Sequence, residues 1–343
     1  MKKKALKKKG VCVGIDMGTR FIKALELVTD GNSQKITKIR TAEVEFPPSD
    51  EKLEKSLKSL VEAFRPSTHE VNISLSSPHA VVRFVTMPKM KEEDLKSSLM
   101  FEAEKYIPFN VKEVVTDASI LGYTTEDKRQ MRVLFAAVKR KVVDQRVSML
   151  KNAGLVPSMI DIDSFACFNA FLNSFESLDQ AKSLAVINLG YAQANLVISQ
   201  GASPFFSRDV QVGAREIAKA ISGKLGIDRK ESDRYILDAK GKDSEVFDAA
   251  KPVLNSLIDE IRLSFGYYEN QYGKSVDEIY ISGGIARSRD VVKCFEDSFD
   301  VKTTPWNPLG RFSVDSAVDA KLLESSQLQL AVSTGLALRS KDR

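Results

Sequence analysis

Residues Val11–Val28 read V-C-V-G-I-D-M-G-T-R-F-I-K-A-L-E-L-V, and this stretch decides how the rest of the chain is interpreted. Apolar residues on both sides of a short polar segment predict two strands joined by a tight turn. In that turn Gly18 follows Asp16 by two residues and lets the backbone approach a ligand closely. Turn N–H groups can bind phosphate, and the carboxylate can hold Mg²⁺ directly or through water. The alternative is a surface hairpin with an ordinary turn aspartate.

The same pattern returns at Leu184–Ser199, which reads L-A-V-I-N-L-G-Y-A-Q-A-N-L-V-I-S. Asn188 takes the place that Asp16 has in the first copy, and Gly190 follows it after one residue. Each hairpin is followed by a third strand and a helix. The sequence therefore predicts two copies of one strand–turn–strand–strand–helix unit, whose facing turns could clamp a polyphosphate from both sides.

Composition excludes several classes of function. The chain has 343 residues and a net charge of +5, but lysine occupies six of the first nine positions, so the remainder is close to neutral. This balance argues against a large nucleic-acid footprint and predicts a disordered basic tail, with weak attraction to an anionic membrane or nucleic acid as the alternative.

Three scattered cysteines predict free thiols in a reducing compartment, and two isolated histidines argue against a zinc enzyme or a histidine-based hydrolase. We find no apolar run long enough to cross a bilayer.

A block of strands and helices interrupts the first copy of the unit. Residues 71–155 read as strands and helices in the order β-α-β-β-α, which predicts a small inserted module. The predicted organisation is a basic tail over 1–10, the first part of lobe I over 11–70, the inserted module over 71–155, the completion of lobe I and crossover over 156–183, and lobe II with a closing C-terminal helix over 184–343.

A third glycine motif, Gly283-Gly284-Ile285-Ala286-Arg287, follows a short buried strand. The three motifs in this order resemble the actin-like ATPase superfamily, with the first two as its phosphate hairpins and the third as its adenosine loop. Within that superfamily the chain resembles the PilM family of type IV pilus assembly proteins, relatives of the cell-division protein FtsA. The strings that carry the resemblance span nearly the whole chain: Gly14-Ile15-Asp16-Met17-Gly18-Thr19, Met87-Pro88-Lys89-Met90, Glu102-Ala103-Glu104-Lys105-Tyr106-Ile107-Pro108-Phe109, Asn188-Leu189-Gly190, Ser207-Arg208-Asp209-Val210-Gln211-Val212-Gly213, Ser282-Gly283-Gly284 and Gly335-Leu336-Ala337-Leu338-Arg339.

The resemblance implies a fold, a ligand and a partner. The fold is α/β, the duplicated actin-like (ribonuclease H-like) architecture with an inserted FtsA-type α+β subdomain. The ligand is ATP with Mg²⁺ in the central cleft. The partner is the N-terminal cytoplasmic tail of the inner-membrane protein PilN, bound between the inserted module and the neighbouring subdomain. The protein would then be a cytoplasmic scaffold at the inner face of the inner membrane, attached through its partners and open to contacts with other components of the pilus machine.

The resemblance also implies roles for single residues. Asp163 falls where relatives carry a glutamate that places Mg²⁺ or the attacking water, so it is the candidate catalytic residue and, with Asp16, a metal ligand. The predicted nucleotide-binding residues are Asp16, Gly18, Thr19, Lys23, Asn188, Gly190, Tyr191, Ala192, Gly213, Glu216, Gly283, Gly284 and Arg287. The predicted partner-binding residues are Phe21, Ile22, Val85, Met87, Leu99 and Tyr106.

Two departures from the superfamily pattern weaken the case for catalysis. Asn188 replaces an aspartate and brings no charge to a metal, and Asp163 is one methylene shorter than glutamate. Placing Mg²⁺ and water is most of what such a site does, so we predict nucleotide binding with slow or absent hydrolysis. Two other functions remain open. A small-metabolite kinase would need a further aspartate base and a substrate loop, and an FtsA-like filament protein would need an amphipathic C-terminal membrane helix.

Overall fold

The computed structural model describes residues 10–76, 78–123, 129–236 and 241–339, so the predicted basic tail lies, apart from Gly10, outside the described residues. The strands are β1 (Gly10–Met17), β2 (Phe21–Asp30), β3 (Ser33–Glu43), β4 (Glu70–Leu75), β5 (Ala80–Pro88), β6 (Val114–Tyr123), β7 (Gln130–Lys139), β8 (Val156–Ile162), β9 (Ser183–Leu189), β10 (Ala194–Gln200), β11 (Ser203–Val210), β12 (Glu278–Gly283), β13 (Thr303–Pro305) and β14 (Ser313–Val314). The helices are α1 (Asp50–Phe64), α2 (Glu92–Glu102), α3 (Arg140–Asn152), α4 (Asp163–Ser174), α5 (Ala214–Leu225), α6 (Arg229–Tyr235), α7 (Asp243–Tyr272), α8 (Arg289–Phe299), α9 (Ala320–Ser326) and α10 (Ala331–Ala337).

The two large sheets repeat one topology. The first has the order β14-β3-β2-β1-β4-β8 and the second has the order β11-β10-β9-β12-β13. In each, an antiparallel three-strand meander is extended by two parallel strands next to its first strand. We call the two sheets with their helices the first lobe and the second lobe. Five consecutive residues, Val13–Met17, are buried in β1 because both faces of the first sheet are covered.

The inserted module is smaller than the sequence predicted. Its three-stranded sheet has the order β5-β7-β6 and packs on α2 through buried side chains that include Leu95, Leu99 and Phe135. β4, which the sequence placed in the module, pairs with β1 and β8 in the first sheet. α3 also belongs to the first lobe, because Met149 and Leu150 join its core. The insertion thus lies between β4 and α3, in the connection that corresponds to β12–α8–β13 in the second lobe.

The C-terminal segment returns to the first lobe, whereas the sequence assigned it to the second. β14 pairs with β3, and α10 lies between β1 and α4. A Cβ placed on Gly14 would lie 2.1 Å from the Ser333 carbonyl oxygen, and one on Gly335 would lie 1.7 Å from that of Ala166. The side-chain amide of Asn72 donates to the carbonyl oxygen of Leu336 at 2.9 Å. The close backbone approaches at Gly14 and Gly335, together with this hydrogen bond, fix the helix pair α4 and α10 between the two sheets.

Candidate functional site

A cavity of about 480 Å³ opens between the first and second lobes. Both hairpin turns and the end of β12 line it. The predicted nucleotide-binding and metal-binding residues that it brings together are Asp16, Gly18, Thr19, Lys23, Asp163, Asn188, Gly190, Tyr191, Ala192, Gly283 and Gly284.

The first turn carries an ion pair at its base. Asp16 and Lys23 are register partners in the β1–β2 hairpin, and the Lys23 Nζ lies 2.6 Å from an Asp16 carboxylate oxygen. A Cβ on Gly18 would lie 2.7 Å from the Phe21 carbonyl oxygen, so the turn closes only with glycine at this position. The register pair below the first turn therefore presents one carboxylate and one ammonium group to the cavity.

The second turn repeats this geometry with neutral groups. Asn188 and Asn195 are register partners in the β9–β10 hairpin, and the Asn188 Nδ2 donates to the Asn195 Oδ1 at 3.1 Å. The Asn195 Nδ2 in turn donates to Asp209 at 2.8 Å. A Cβ on Gly190 would lie 2.6 Å from the Gln193 carbonyl oxygen, which matches the closure of the first turn. An amide pair thus stands where the first lobe has an ion pair.

Three of the predicted nucleotide-binding residues do not line the cavity. Gly213 supports the second turn from behind, since a Cβ there would lie 2.5 Å from the Tyr191 carbonyl oxygen. Glu216 caps α5 by accepting from the Gly213 N–H at 3.0 Å. Arg287 donates to the Ser325 carbonyl oxygen at 2.9 Å. These residues hold the walls of the site in place.

Asp163 is the first residue of helix α4. The hydroxyl of the next residue, Ser164, accepts a hydrogen bond from Ser207 at 3.2 Å. Burial raises the pKa of the Asp163 carboxyl group to about 7, and the neighbouring Asp16 carboxylate adds to this shift. A helix N-terminus favours an anion by only about 1 kcal/mol, so here burial and like charge outweigh it.

A clasp of charged and aromatic side chains joins the two lobes beside the cavity, and the sequence reasoning missed it. We define the clasp as Arg20 from the first turn together with Tyr191, Arg229 and Asp233 from the second lobe. Arg20 lies 2.5 Å from Glu43 and 3.1 Å from Asp233. Asp233 also pairs with Arg229 at 3.3 Å, and the Arg229 guanidinium donates to the Tyr191 hydroxyl at 2.9 Å. Burial raises the pKa of that hydroxyl, with a further contribution from Asp233.

A further wall of the cavity, also missed, comes from the β4–β5 connection and from α3. Its members are Ser74, Leu75, Ser76, Pro78, His79, Val142 and Arg146. A lone arginine on an amphipathic helix is ordinarily a solvated surface residue, so the sequence carried no signal for Arg146.

The predicted partner-binding residues do not form one surface. Ile22, Met87 and Leu99 are buried, Ile22 in the core of the first lobe and the other two in the core of the inserted module, so we withdraw them as contact residues. Apolar residues on a periodic face are more often core than interface, and that is the case here. Phe21 lines the cavity. Val85 and Tyr106 are half-buried against the inserted core.

The cavity fits a nucleotide with Mg²⁺. Its volume lies within the range of roughly 300–1,000 Å³ that is usual for small-molecule sites. One buried polar atom that lines it, the Gln193 Nε2, finds no hydrogen-bond partner among the described residues. In the same ranges no group of three or more His, Cys, Asp or Glu residues could hold a metal ion. Mg²⁺ is commonly held by one or two carboxylates with phosphate and water, which Asp16 and Asp163 satisfy.

Within the part of the chain that the structure describes, no helix is both long and apolar enough to span a bilayer.

Known proteins match the chain in sequence and in structure. The family model described as type IV pilus assembly protein PilM matches residues 14–341. In a solved PilM–PilN type IV pilus biogenesis complex, one chain is 25% identical with a TM-score of 0.84, and the match covers 96% of this chain and 98% of that chain. Ethanolamine utilization protein EutJ from Carboxydothermus hydrogenoformans is 11% identical with a TM-score of 0.53, covering 99% of this chain and 94% of that one. MreB5 of Spiroplasma citri bound to AMPPNP is 11% identical with a TM-score of 0.51, covering 96% and 95%.

These matches confirm the actin-like fold predicted from the sequence. EutJ and MreB5 establish the fold alone, because their identity to this chain is low. The fold indicates nucleotide binding.

Proposed function

This chain belongs to the family of type IV pilus assembly protein PilM, and from that premise we propose that it is an ATP-binding scaffold of the type IV pilus machine. Its partner in this proposal is the N-terminal cytoplasmic peptide of a PilN-type inner-membrane protein. The observation that carries the proposal is the cleft in which two glycine turns, one charged and one neutral, face each other. The partner assignment draws on the similar PilM–PilN complex.

The groups around the cleft suit a nucleotide with Mg²⁺. Asp16 and Asp163 would hold the ion, and the backbone of the turns at Gly18–Thr19 and Gly190–Ala192 would bind phosphate oxygens. Gly283 and Gly284 would lie under the adenosine. When bound, Mg²⁺ offsets the negative charge of the phosphates. The clasp links the two lobes beside the cavity and would help to hold them together around the ligand.

We propose that binding dominates over hydrolysis. The Asn188 amide is held by Asn195 and supplies no negative charge, and the Asp163 carboxyl group has a pKa of about 7, so it would be only partly ionised at neutral pH without a ligand. A strong general base or metal anchor would be ionised there. In a phosphate-release assay with Mg-ATP, turnover should stay below the typical enzyme range of about 1 per second and above. Turnover within that range that is lost in Asp163→Ala would overturn this part of the proposal.

The partner site that we propose lies between the inserted sheet and the first sheet. β5 and β8 are edge strands of these sheets, and the exposed side chains of Val156 and Ile160 lie along β8. Phe84 of β5 packs against Phe165 with ring centroids 6.4 Å apart, which gives the region an apolar floor. Open strand edges with alternating apolar side chains suit an extended peptide.

The function is tested by titrating the protein with Mg-ATP and with a PilN-tail peptide in calorimetry. We expect both to bind, and Ile160→Asp to weaken peptide binding about tenfold, the loss of one good apolar contact. Leu263→Asp is the matched control, because Leu263 is an exposed apolar residue on α7 in the second lobe. Failure of both ligands to bind the wild type would overturn the proposal. Equal losses in the two variants would overturn the location of the peptide site alone.

Because the peptide is cytoplasmic, we propose that the protein works in the cytoplasm at the inner face of the inner membrane and is held there by its partner. Fractionation with and without the partner tests this location. We expect recovery with membranes only when the partner is present, and equal recovery in both cases would contradict it.

A further inference from the structure

Arg146 stands apart from the other basic residues around the cavity. It lies on α3, whose next turn is anchored by Met149 and Leu150 in the core of the first lobe. The helix is therefore a fixed support, and the guanidinium reaches the cavity from a rigid element.

The Arg146 guanidinium has no ion pair in the described part of the chain. Its hydrogen-bond partner is the Met149 sulfur at 3.5 Å, a weak acceptor. Burial lowers the pKa of Arg146, and the carboxylates of Asp50 and Asp163 offset this from beyond ion-pairing distance. Arg146 is half-buried, and a partly desolvated cation without an ion pair is stabilised by an anion, which the described residues do not supply.

The other basic residues that line the cavity do not share this state. Arg20, Lys23 and Arg215 each lie within 3.1 Å of a carboxylate oxygen. Lys230 and Arg234 are exposed, so water solvates them. Arg146 is thus the candidate for direct contact with a bound anion.

The position of Arg146 indicates which part of a nucleotide it meets. It lines the same cavity as Asp163 and lies near enough to be attracted by that carboxylate, one of the two proposed metal ligands. Gly283 and Gly284 belong to a different wall, contributed by the second lobe. A planar guanidinium binds phosphate oxygens in a bidentate manner, which a lysine cannot reproduce.

We propose that Arg146 binds the terminal phosphate of ATP and thereby makes the site prefer ATP over ADP. This inference rests on the proposed nucleotide-binding function. α3 begins at Arg140, directly after the last strand of the inserted sheet. The phosphate contact is therefore made by the helix that joins the inserted module to the first lobe.

The test compares Mg-ATP and Mg-ADP binding by calorimetry in the wild type, Arg146→Met, Arg146→Lys and Lys141→Met. Methionine keeps the apolar stem and removes the charge, and Lys141 is an exposed lysine on the same helix that serves as the charge-matched control. We expect Arg146→Met to weaken ATP binding about tenfold or more and ADP binding less than about threefold, as for the loss of one charge-assisted contact. Arg146→Lys should fall between, and Lys141→Met should match the wild type.

Thermal unfolding gives a second readout that a purely structural role would not reproduce. Without nucleotide, Arg146→Met should unfold at the same temperature as the wild type or higher, because an unpaired desolvated cation has been removed. The stabilisation by ATP should shrink, whereas that by ADP should stay.

The outcomes separate the two proposals. If the wild type binds ATP and Arg146→Met binds it equally well, the terminal-phosphate contact is wrong and the nucleotide-binding function stands. Equal losses for ATP and ADP would also overturn the assignment to the terminal phosphate. If the wild type binds neither nucleotide, the proposed function fails, and the role of Arg146 fails with it.

Discussion

The two hairpin turns have the same backbone geometry and opposite chemistry. A Cβ placed on Gly18 or on Gly190 would lie 2.7 or 2.6 Å, respectively, from the carbonyl oxygen three residues later. At the register pair below each turn, the first lobe has Asp16 with Lys23 and the second has two asparagines. The two turns thus share one shape, while only the first has an ion pair at its register position.

Under the proposed function, this difference would limit electrostatic repulsion between the two turns and a bound polyphosphate. If both turns carried an aspartate, two carboxylates would face the same polyanion. With Asn188 the second side offers a hydrogen-bonding amide without a formal charge. Under the proposed function, Asp16 and Asp163 of the first lobe would hold the metal ion, and the second turn would contact the phosphates without a charge at Asn188.

The largest expected effect is on Mg-ATP affinity, which should fall more when the charged residue of the first turn is replaced than when its neutral counterpart is replaced. Asp16→Asn should lower Mg-ATP affinity about 100-fold, roughly 3 kcal/mol, because the cavity loses a metal-binding carboxylate and Lys23 loses its partner. Asn188→Ala, at the equivalent position, should cost about tenfold or less, since one neutral hydrogen bond is lost. Calorimetry in excess Mg²⁺ measures both. Similar losses at the two positions would contradict the division of charge.

The next largest effect is on the free energy of unfolding, and it should be the same for the two turn glycines. Gly18→Ala and Gly190→Ala should each lower the free energy of unfolding by about 2 kcal/mol, because a new Cβ overlaps a fixed carbonyl oxygen. Gly223→Ala is the control, since Gly223 lies in α5 with open space around its Cα. Alanine there should be neutral or stabilising by up to about 1 kcal/mol. Urea unfolding monitored by circular dichroism measures all three, and a large gap between the two turn variants would show that their shapes are not equivalent.

Asp163, in the first lobe, should make the stability of the protein depend on pH. The pKa of Asp163 is about 7 in the folded protein and close to 4 when unfolded, so the folded state binds this proton more tightly. Stability from this group is therefore full below pH ~4 and is lost as pH rises to ~7. Without ligands, Asp163→Asn should stabilise the protein by about 1 to 2 kcal/mol at pH 8, a value reduced because the group faces a water-accessible cavity.

The gain in Asp163→Asn should vanish near pH 4, where the wild-type carboxyl group is protonated as well. Asn188→Ser, on the neutral side, should show no such pH dependence. Thermal unfolding across this pH range tests both, and a gain that is independent of pH would contradict the raised pKa.

The smallest expected effect is on ATP affinity when a negative charge is introduced into the second turn. Asn188→Asp should weaken ATP binding about fivefold without metal, from roughly 1 kcal/mol of added repulsion in a solvated cleft. Mg²⁺ should restore most of the affinity by neutralising the phosphates. A loss of the same size with and without Mg²⁺ would point to broken hydrogen bonding with Asn195 instead.

Local patterns predicted the parts of the fold that depend on neighbours in sequence. Both hairpins, their turn glycines and the third strands follow from alternating apolar residues. The limits of the inserted module did not follow, because the partners of β4 and α3 lie in other segments. An apolar strand looks the same whether it pairs with β1 or with β5, and only distant contacts decide.

The site was predictable where glycine and acidic residues form motifs and not where distant charges meet. Arg20 and Asp233 are more than 200 positions apart, so no spacing rule joins them. Arg146 stands in a helix pattern like any surface arginine. Ile22, Met87 and Leu99 show the reverse error, because hydrophobic periodicity does not distinguish a core face from a binding face.

The position of α10 has a consequence for making parts of this protein. On the ribosome, Gly14 emerges early, but the helix that packs against it is synthesised more than 300 residues later. The first sheet must wait through most of translation with that face uncovered. A fragment cut before residue 184 would lack both β14 and α10. Production of the first lobe alone therefore requires a rearranged gene, in which the coding segment for residues 313–339 is joined to the coding segment for the N-terminal half.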